Sequence, residues 1–332
     1  MIIVTGASGF IGTRVAARLI EQYPNTEIVC LIRDVTNKLE EGGRQVLGEL
    51  NLKTIEGDLI TGKGLDRLPR SPELVINLAA NTDTENRDHS CNDVGLQNLF
   101  NAIRPLDAGA HFMQISTTAL LAGRPNAKLP FREDCEPQAT NEYGRSKLRG
   151  EQFIIKRAAE QKFCLTICRL TTVWGTGARE NSFFDVLRKK VLEKSVVTRL
   201  NWPGLTDLIH VDDVAELIVK ISSRPAQPGI ANVFTLSTEA MTLAQINQII
   251  HERLGFKYKQ INLPGVFWML AAAFRHPIHS LERLIPARVY NSLWRATLVA
   301  DSVIYADRSK INEAFPDRNS KKLRQFIDDV LK

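Results

Sequence analysis

Thr5-Gly6-Ala7-Ser8-Gly9-Phe10-Ile11-Gly12 stands between the apolar run Ile2-Ile3-Val4 and the helical pattern of residues 13–23. This arrangement predicts a strand, a tight turn and a helix. Gly6 permits the turn, Gly9 lets backbone amides approach a pyrophosphate, and Gly12 lets the helix pack closely on the sheet. The helix N-terminus adds N–H groups without intrahelical partners and a partial positive charge. Ser8, Phe10 and Ile11 complete the loop and are taken with the glycines as contacts of a dinucleotide. A plain glycine-rich βα turn has the same spacing, so the loop needs support from the rest of the chain.

That support comes from the pattern downstream. EIVCLIR, KTIEGDL, LVINLAA, HFMQIST and CLTICRL are short β-branched runs, and helical patterns near 90–104 and 142–161 separate the later ones. Such alternation predicts βαβ units and an α/β, doubly wound parallel sheet. HVDDVAELIVKISS at 210–223 predicts a further sheet-packing helix and VFTLS at 233–237 a strand. LAQINQIIHERLGF at 243–256 predicts an amphipathic helix with Gly255 at its end. Residues 1–174, with 206–237 returning to them, are read as the dinucleotide-binding domain. Residues 175–205 and 238–332 are read as a smaller substrate lobe woven from late segments.

A chain of 332 residues with 44% hydrophobic and 24% charged residues is neither disordered nor a disulfide miniprotein. Its net charge of +6 comes from 43 basic and 37 acidic residues, a mild excess without the dense patch of a nucleic-acid binder, so no nucleic-acid partner is expected. Cys30, Cys91, Cys135, Cys164 and Cys168 form no CxxC pair and no zinc spacing, which fits reduced thiols in the cytoplasm. Met1 leads directly into a strand, so no secretory leader is expected. The longest apolar run, residues 266–274, has nine residues. A membrane span needs about 20.

The end of the second strand selects the cofactor. It reads Leu31-Ile32-Arg33, without the acidic residue that holds a ribose 2′-OH in NAD enzymes. The Arg33 guanidinium suits a 2′-phosphate, which favours NADP. Asp34 on the ribose, and therefore NAD, is the alternative. Asp58 ends the third strand, where it would either meet the adenine amine or cap a turn.

Tyr143 and Lys147 are four residues apart, on one face of the predicted helix. A phenol titrates near about 10, and a neighbouring ammonium favours its ionised form. Tyr143 would exchange a proton with a carbonyl/alcohol pair while hydride moves at a nicotinamide. Ser116, Thr117 and Thr118 end the preceding strand and offer hydroxyls to the same oxygen. His210, Asp212 and Asp213 look like a metal cluster, but they fit a strand end followed by helix-capping aspartates, and no metal is expected. Glu133 and Asp134 read as surface charges.

Together these features resemble the extended short-chain dehydrogenase/reductase superfamily, of the NAD-dependent epimerase/dehydratase type. The resemblance rests on TGASGFIG, GDL at 57–59, NLAA at 77–80, Asn92, ISTTAL at 115–120, YGRSK at 143–147, RLTTVWG at 169–175 and HVDDVAE at 210–216. It implies a Rossmann fold and an enzyme. Tyr143 would be the acid/base, and Lys147 would bind the nicotinamide ribose and tune Tyr143. Asn92 would support the active-site helix or a proton-relay water. Asp58 and Leu59 would flank adenine, Ala79 and Ala80 would follow the pyrophosphate, and Ser116 would join the cofactor contacts. The hydroxyl partner is Thr117 when counted from the strand and Thr118 when counted back from Gly123; Thr117 is favoured. The resemblance also implies a homodimer through the helices near 90–104 and 142–161.

Two departures bear on the substrate. Thr172 stands where nucleotide-sugar epimerases of this type often carry asparagine, and Thr206 stands where they carry arginine before Asp207. Thr118 and Ala119 occupy the places of the acidic pair expected of a dehydratase. Residues 263–297 hold Trp268, Trp294, Phe267 and Phe274 with Arg275, Arg283, Arg288 and Arg295 against Glu282. They are read as substrate-lobe helices, as a lid over an apolar substrate, or as an interfacial membrane helix. The expectation is an NADP(H)-dependent oxidoreductase interconverting a ketone and a secondary alcohol on a small molecule, either apolar or a nucleotide sugar. The alternatives are a nucleotide-sugar 4-epimerase with retained NAD, and an NADP(H)-sensing protein without catalysis. The expected location is the cytoplasm, with membrane-surface contact through 263–297 as the open point.

Overall fold

The computed structural model describes residues 1–33, 38–82, 88–121, 130–274, 278, 284–301, 305–318 and 320–331. Asp34, Gly123, Arg275, Glu282, Arg283 and the Arg288 side chain, all named above, lie outside the described residues.

The strands β1 (Ile2–Thr5), β2 (Ile28–Ile32), β3 (Lys53–Glu56), β4 (Leu74–Asn77), β5 (His111–Thr117), β6 (Cys164–Leu170), β7 (Thr172–Trp174), β8 (Leu205–His210), β9 (Ala231–Leu236) and β10 (Glu239–Thr242) follow in chain order. Seven form one parallel sheet in the order β3-β2-β1-β4-β5-β6-β9. β1, β2, β4 and β6 are buried at every position, as strands covered on both faces must be. Connections run outward from β1 in both directions, so a crevice opens beyond the C-terminal ends of β1 and β4. Thr5 faces Leu31 on one side and Asn77 on the other.

The helices are α1 (Gly12–Gln22), α2 (Lys38–Glu49), α3 (Val94–Ile103), α4 (Glu142–Gln161), α5 (Phe183–Leu192), α6 (Val211–Ser222), α7 (Leu243–Arg253), α8 (Gly265–Ala273) and α9 (Ala287–Val299), followed by shorter C-terminal turns. On one face of the sheet, Val15 and Leu19 of α1, Leu47 of α2 and Val214, Leu217 and Ile218 of α6 make a core. On the other, Leu96, Leu99 and Phe100 of α3 meet Ile154 and Ala158 of α4. The helix expected at 142–161 spans those residues, and the one expected at 210–223 is α6.

β7, β8 and β10 form a second sheet in the order β10-β8-β7, with β10 antiparallel. It shares a third core with α5 and α7, including Trp174, Phe184, Leu208, Ile246 and Ile250. Asp207 on β8 ties the late segments together, accepting from Ser237 Oγ at 2.8 Å and from the Ala306 amide at 2.5 Å. Burial lifts its carboxyl to about 6.

Two expectations change. The cap of α6 is His210, whose Nδ1 accepts the Asp212 amide at 3.1 Å; the aspartates serve elsewhere. Asp212 pairs with Arg14 at 2.9 Å and Lys321 at 2.7 Å, and Asp213 accepts the Lys321 amide at 2.9 Å. Glu133 is not a free surface charge, since its carboxylate accepts the Thr235 amide of β9 at 2.9 Å. Among the described residues, no helix is long and apolar enough to cross a membrane.

His111 on β5 is buried, with Nε2 2.8 Å from Thr166 Oγ1 and Nδ1 3.2 Å from the Ser222 carbonyl. Desolvation pushes its pKa from 6.5 down to about 4. The unfolded chain therefore binds a proton between those values that the folded chain does not, and the His111 contribution to stability is lost as pH falls through that window. His111→Gln removes this slope. In denaturant titrations the wild type loses about 2 kcal/mol relative to the variant between pH 7.5 and 5.

Candidate cofactor and substrate site

A cavity of about 910 Å³ runs along the C-terminal ends of the central strands. One end is the phosphate loop. Gly6 has φ +65°, and a Cβ there would lie 2.9 Å from the Ala79 amide nitrogen. Gly12 lies against the Gly6 carbonyl, where a side chain would overlap it. Gly43 on α2 stands against the Ser8 carbonyl with no room for a methyl group. Gly43 was not singled out in the sequence, because a glycine pair in a polar helix carries no periodic signal. Polar side chains fix the strand ends behind the loop. Thr5 Oγ1 donates to Asn77 Oδ1 at 2.5 Å and accepts the Ala79 amide at 3.2 Å, and Asn77 Nδ2 donates to Gln114 at 2.8 Å.

Every loop position named for the cofactor, Gly6, Ser8, Gly9, Phe10, Ile11 and Gly12, lines this cavity. So do Arg33, Asp58, Leu59, Ala79, Ala80 and Ser116. Arg33 is paired with Glu40 of α2 at 2.6 Å, so a second charged group, missed in the sequence, shares this corner of the cavity. Asp58 does cap the following turn, accepting from Ile60 and Thr61 amides at 2.7 and 3.1 Å, while also facing the cavity. Ser116 Oγ is buried in the wall without a hydrogen-bond partner, an orphan that a bound polar ligand would satisfy. The adenine-to-pyrophosphate end thus fits a dinucleotide.

At the other end, Thr117 and Tyr143 line the cavity together, Thr117 favours the ionised form of the Tyr143 phenol, and its hydroxyl accepts the Ala119 amide at 3.1 Å. Thr118 turns away, donating to the Leu170 carbonyl at 3.3 Å. Of the two registers left open by the sequence, the geometry puts Thr117 against Tyr143. Lys147 is buried, donates to the Ile115 carbonyl at 3.0 Å, and is pushed down to about 8 by desolvation. The expected depression of Tyr143 by Lys147 is corrected. Burial raises Tyr143 above its usual value, and the groups working against that are Thr117 and the Arg179 charge. Arg179 lines the cavity and donates to the Thr82 carbonyl at 2.9 Å. It lies in the irregular stretch after β7, where sequence patterning was uninformative.

Asn92 is buried behind the helix. Its Nδ2 donates to Ser146 Oγ at 3.0 Å and the Asn81 carbonyl at 3.2 Å, and its Oδ1 accepts the Asn81 amide at 3.1 Å. Ser146 Oγ in turn donates to the Tyr143 carbonyl at 2.8 Å. Of its two expected roles, this geometry matches the support of the helix. The far wall of the cavity includes Phe183, Thr172, Thr206 and, from α9, Trp294, Arg295, Leu298 and Val299. Among the described residues, no group of three or more His, Cys, Asp or Glu is placed to hold a metal.

The model of the NAD dependent epimerase/dehydratase family matches residues 2–235. The chain belongs to that family and is an NAD(P)-dependent enzyme of the extended short-chain dehydrogenase/reductase type. It is 26% identical over 305 residues to dTDP-L-rhamnose 4-epimerase of Burkholderia thailandensis, covering 79% of this chain and 83% of that one. It is 26% identical over 276 residues to ceramide reductase of Caulobacter vibrioides, covering 82% and 76%. Among solved structures, UDP-glucuronic acid 4-epimerase from Bacillus cereus in complex with UDP-glucuronic acid and NAD superposes with a TM-score of 0.73 at 20% identity, covering 99% of this chain and 97% of that one.

Gly43→Ala tests the packing of α2 on the loop. The added methyl group displaces the Ser8 backbone, and calorimetry should read at least about a tenfold loss of dinucleotide affinity in a protein that still folds.

Proposed function

We propose that this enzyme interconverts a ketone and a secondary alcohol on an apolar substrate, with NADP(H) as its cofactor. One observation carries the reading: the Thr117–Tyr143 pair lies in a cavity whose far wall includes Phe183, Trp294, Leu298 and Val299. Arg33 at the ribose corner supports NADP, and the likeness to a ceramide reductase supports an apolar substrate.

When bound, the nicotinamide supplies hydride to the carbonyl carbon. Thr117 and Tyr143 hold the carbonyl oxygen, and Tyr143 gives it the proton that completes the alcohol. Burial keeps the phenol protonated well above neutrality, which suits reduction. Lys147 would hold the nicotinamide ribose, with Asn92 fixing the first turn of α4 behind it. The outer faces of α3 and α4 would form a homodimer contact.

A second reading, 4-epimerisation of a nucleotide sugar with retained NAD, is supported by Arg179 and Arg295 in the cavity wall and by the likeness to dTDP-L-rhamnose 4-epimerase. Those arginines would meet a pyrophosphate.

Calorimetry separates the readings. NADPH should bind at least about tenfold more tightly than NADH, and Arg33→Ala should remove that preference. Tightly retained NAD, with binding indifferent to Arg33→Ala, would favour the epimerase. Tyr143→Phe should lower kcat for ketone reduction about a hundredfold or more while dinucleotide affinity is unchanged. Since reduction needs the protonated phenol, its rate should stay level through neutral pH and fall only on the alkaline side; a fall centred below pH 7 would contradict the raised Tyr143.

A further inference from the structure

α8 carries its apolar residues on two opposed faces. Trp268 is 5% exposed, packed against Trp202 with ring centroids 4.6 Å apart and ring planes tilted by 45°, and donates from Nε1 to Asn201 Oδ1 at 3.2 Å. Val266, Phe267, Met269 and Leu270 point the other way and are 57, 47, 65 and 56% exposed, with Phe274 at the helix end 62% exposed. At 3.6 residues per turn these side chains sweep an arc of about 160° centred opposite Trp268. Trp268 therefore anchors a helix whose outer half is a continuous apolar surface of large side chains. Such a surface marks an interaction site.

The charge of the sequence on either side of this helix points to the occupant. Residues 256–299 contain Lys257, Lys259, Arg275, Arg283, Arg288 and Arg295 against the single acid Glu282. That surplus of five is nearly the whole net charge of +6 carried by 332 residues. Lys257, Lys259 and Arg295 are exposed. A short apolar face carried on a cationic stretch of sequence, whose described cations Lys257, Lys259 and Arg295 are exposed, matches the acyl boundary and headgroups of an anionic leaflet. A second copy fits less well, because a two-fold contact through α8 brings two copies of the same cationic stretch of sequence together. With nine residues α8 rises about 14 Å, too short to cross a bilayer core of about 30 Å.

We infer that α8 seats the enzyme on the surface of an anionic lipid bilayer, its outer face within the acyl boundary. α8 packs against α9, and α9 supplies Trp294, Leu298 and Val299 to the cavity wall. Docking therefore places the substrate wall one helix from the lipid. As a route for substrate, this rests on the apolar-substrate reading above; as a binding surface, it stands on α8 and its charges alone.

The test is co-sedimentation of the full chain with phosphatidylcholine vesicles, with and without phosphatidylglycerol. The wild type should partition at least about tenfold more onto the anionic vesicles, and raised salt should weaken it. Phe267→Ser with Leu270→Ser, both on exposed positions outside the cavity, should lose about tenfold of that partition with an unchanged thermal midpoint. Lys257→Glu with Lys259→Glu should weaken only the anionic component. Wild type left in the supernatant, or α8 variants that sediment like it, overturns the proposal. So does a serine variant that dissociates a dimer in sedimentation velocity while the wild type ignores both vesicles, which assigns the face to a second copy. Reduction of a short, water-soluble ketone by the same proteins separates the two readings. Vesicle binding without reduction of either this ketone or a long-chain ketone dispersed in detergent leaves docking standing and removes the reductase; reduction without vesicle binding removes docking alone.

Discussion

The approach of the Gly6 backbone to the Ala79 amide is the constraint on which the site depends. It occurs where β1 and β4 part company, at the point from which the sheet is wound in both directions. Thr5 makes the approach specific, because one hydroxyl both donates to Asn77 and accepts from Ala79. Asn77 passes the connection to Gln114 on β5, the strand that ends in Ser116 and Thr117. The glycine loop and the Thr117 end of the cavity are therefore joined by a buried hydrogen-bond path across three strands. Buried polar groups that are fully paired hold one arrangement strongly, since breaking any link leaves an unsatisfied group in a low dielectric.

α4 serves the same cavity from its other side. Asn141 caps it through the Gly144 amide, and Asn92 grips its first turn through Ser146. Gly150 lets the helix lie close to the Asn92 carbonyl, where a Cβ would sit 2.5 Å away. Further along, Glu151 forms a buried bidentate pair with Arg169 of β6 at 2.8 and 3.2 Å. That pair anchors the helix to the sheet four residues beyond Lys147, and the negative charge of Glu151 works against the burial that drives Lys147 down. Burial drives Lys147 down and Tyr143 up, so their charged forms are both disfavoured until partners arrive.

The C-terminal segments give this common core its particular character. Asp207 holds the chain at Ala306, α9 closes part of the cavity, and α8 lies on α9 with its outer half apolar. Arg179 and Arg295 keep the cavity from being uniformly apolar.

The sequence by itself determined the elements whose signal is local. TGASGFIG marked the βα turn, β-branched runs marked the buried strands, and the four-residue step from Tyr143 to Lys147 placed both on α4. Apolar periodicity and glycine spacing are short-range properties, so they survive without coordinates. Only the tertiary structure decided what depends on distant segments meeting. Thr117 was separated from Thr118 by which hydroxyl faces Tyr143, a matter of how β5 ends against α4. Glu40, Gly43 and Arg179 joined the site from stretches with no periodic pattern. The sign of the Tyr143 shift followed from burial and not from the neighbouring lysine. The outward face of α8 followed from the docking of Trp268 on Trp202, because a helix apolar on all sides does not announce which half it will bury.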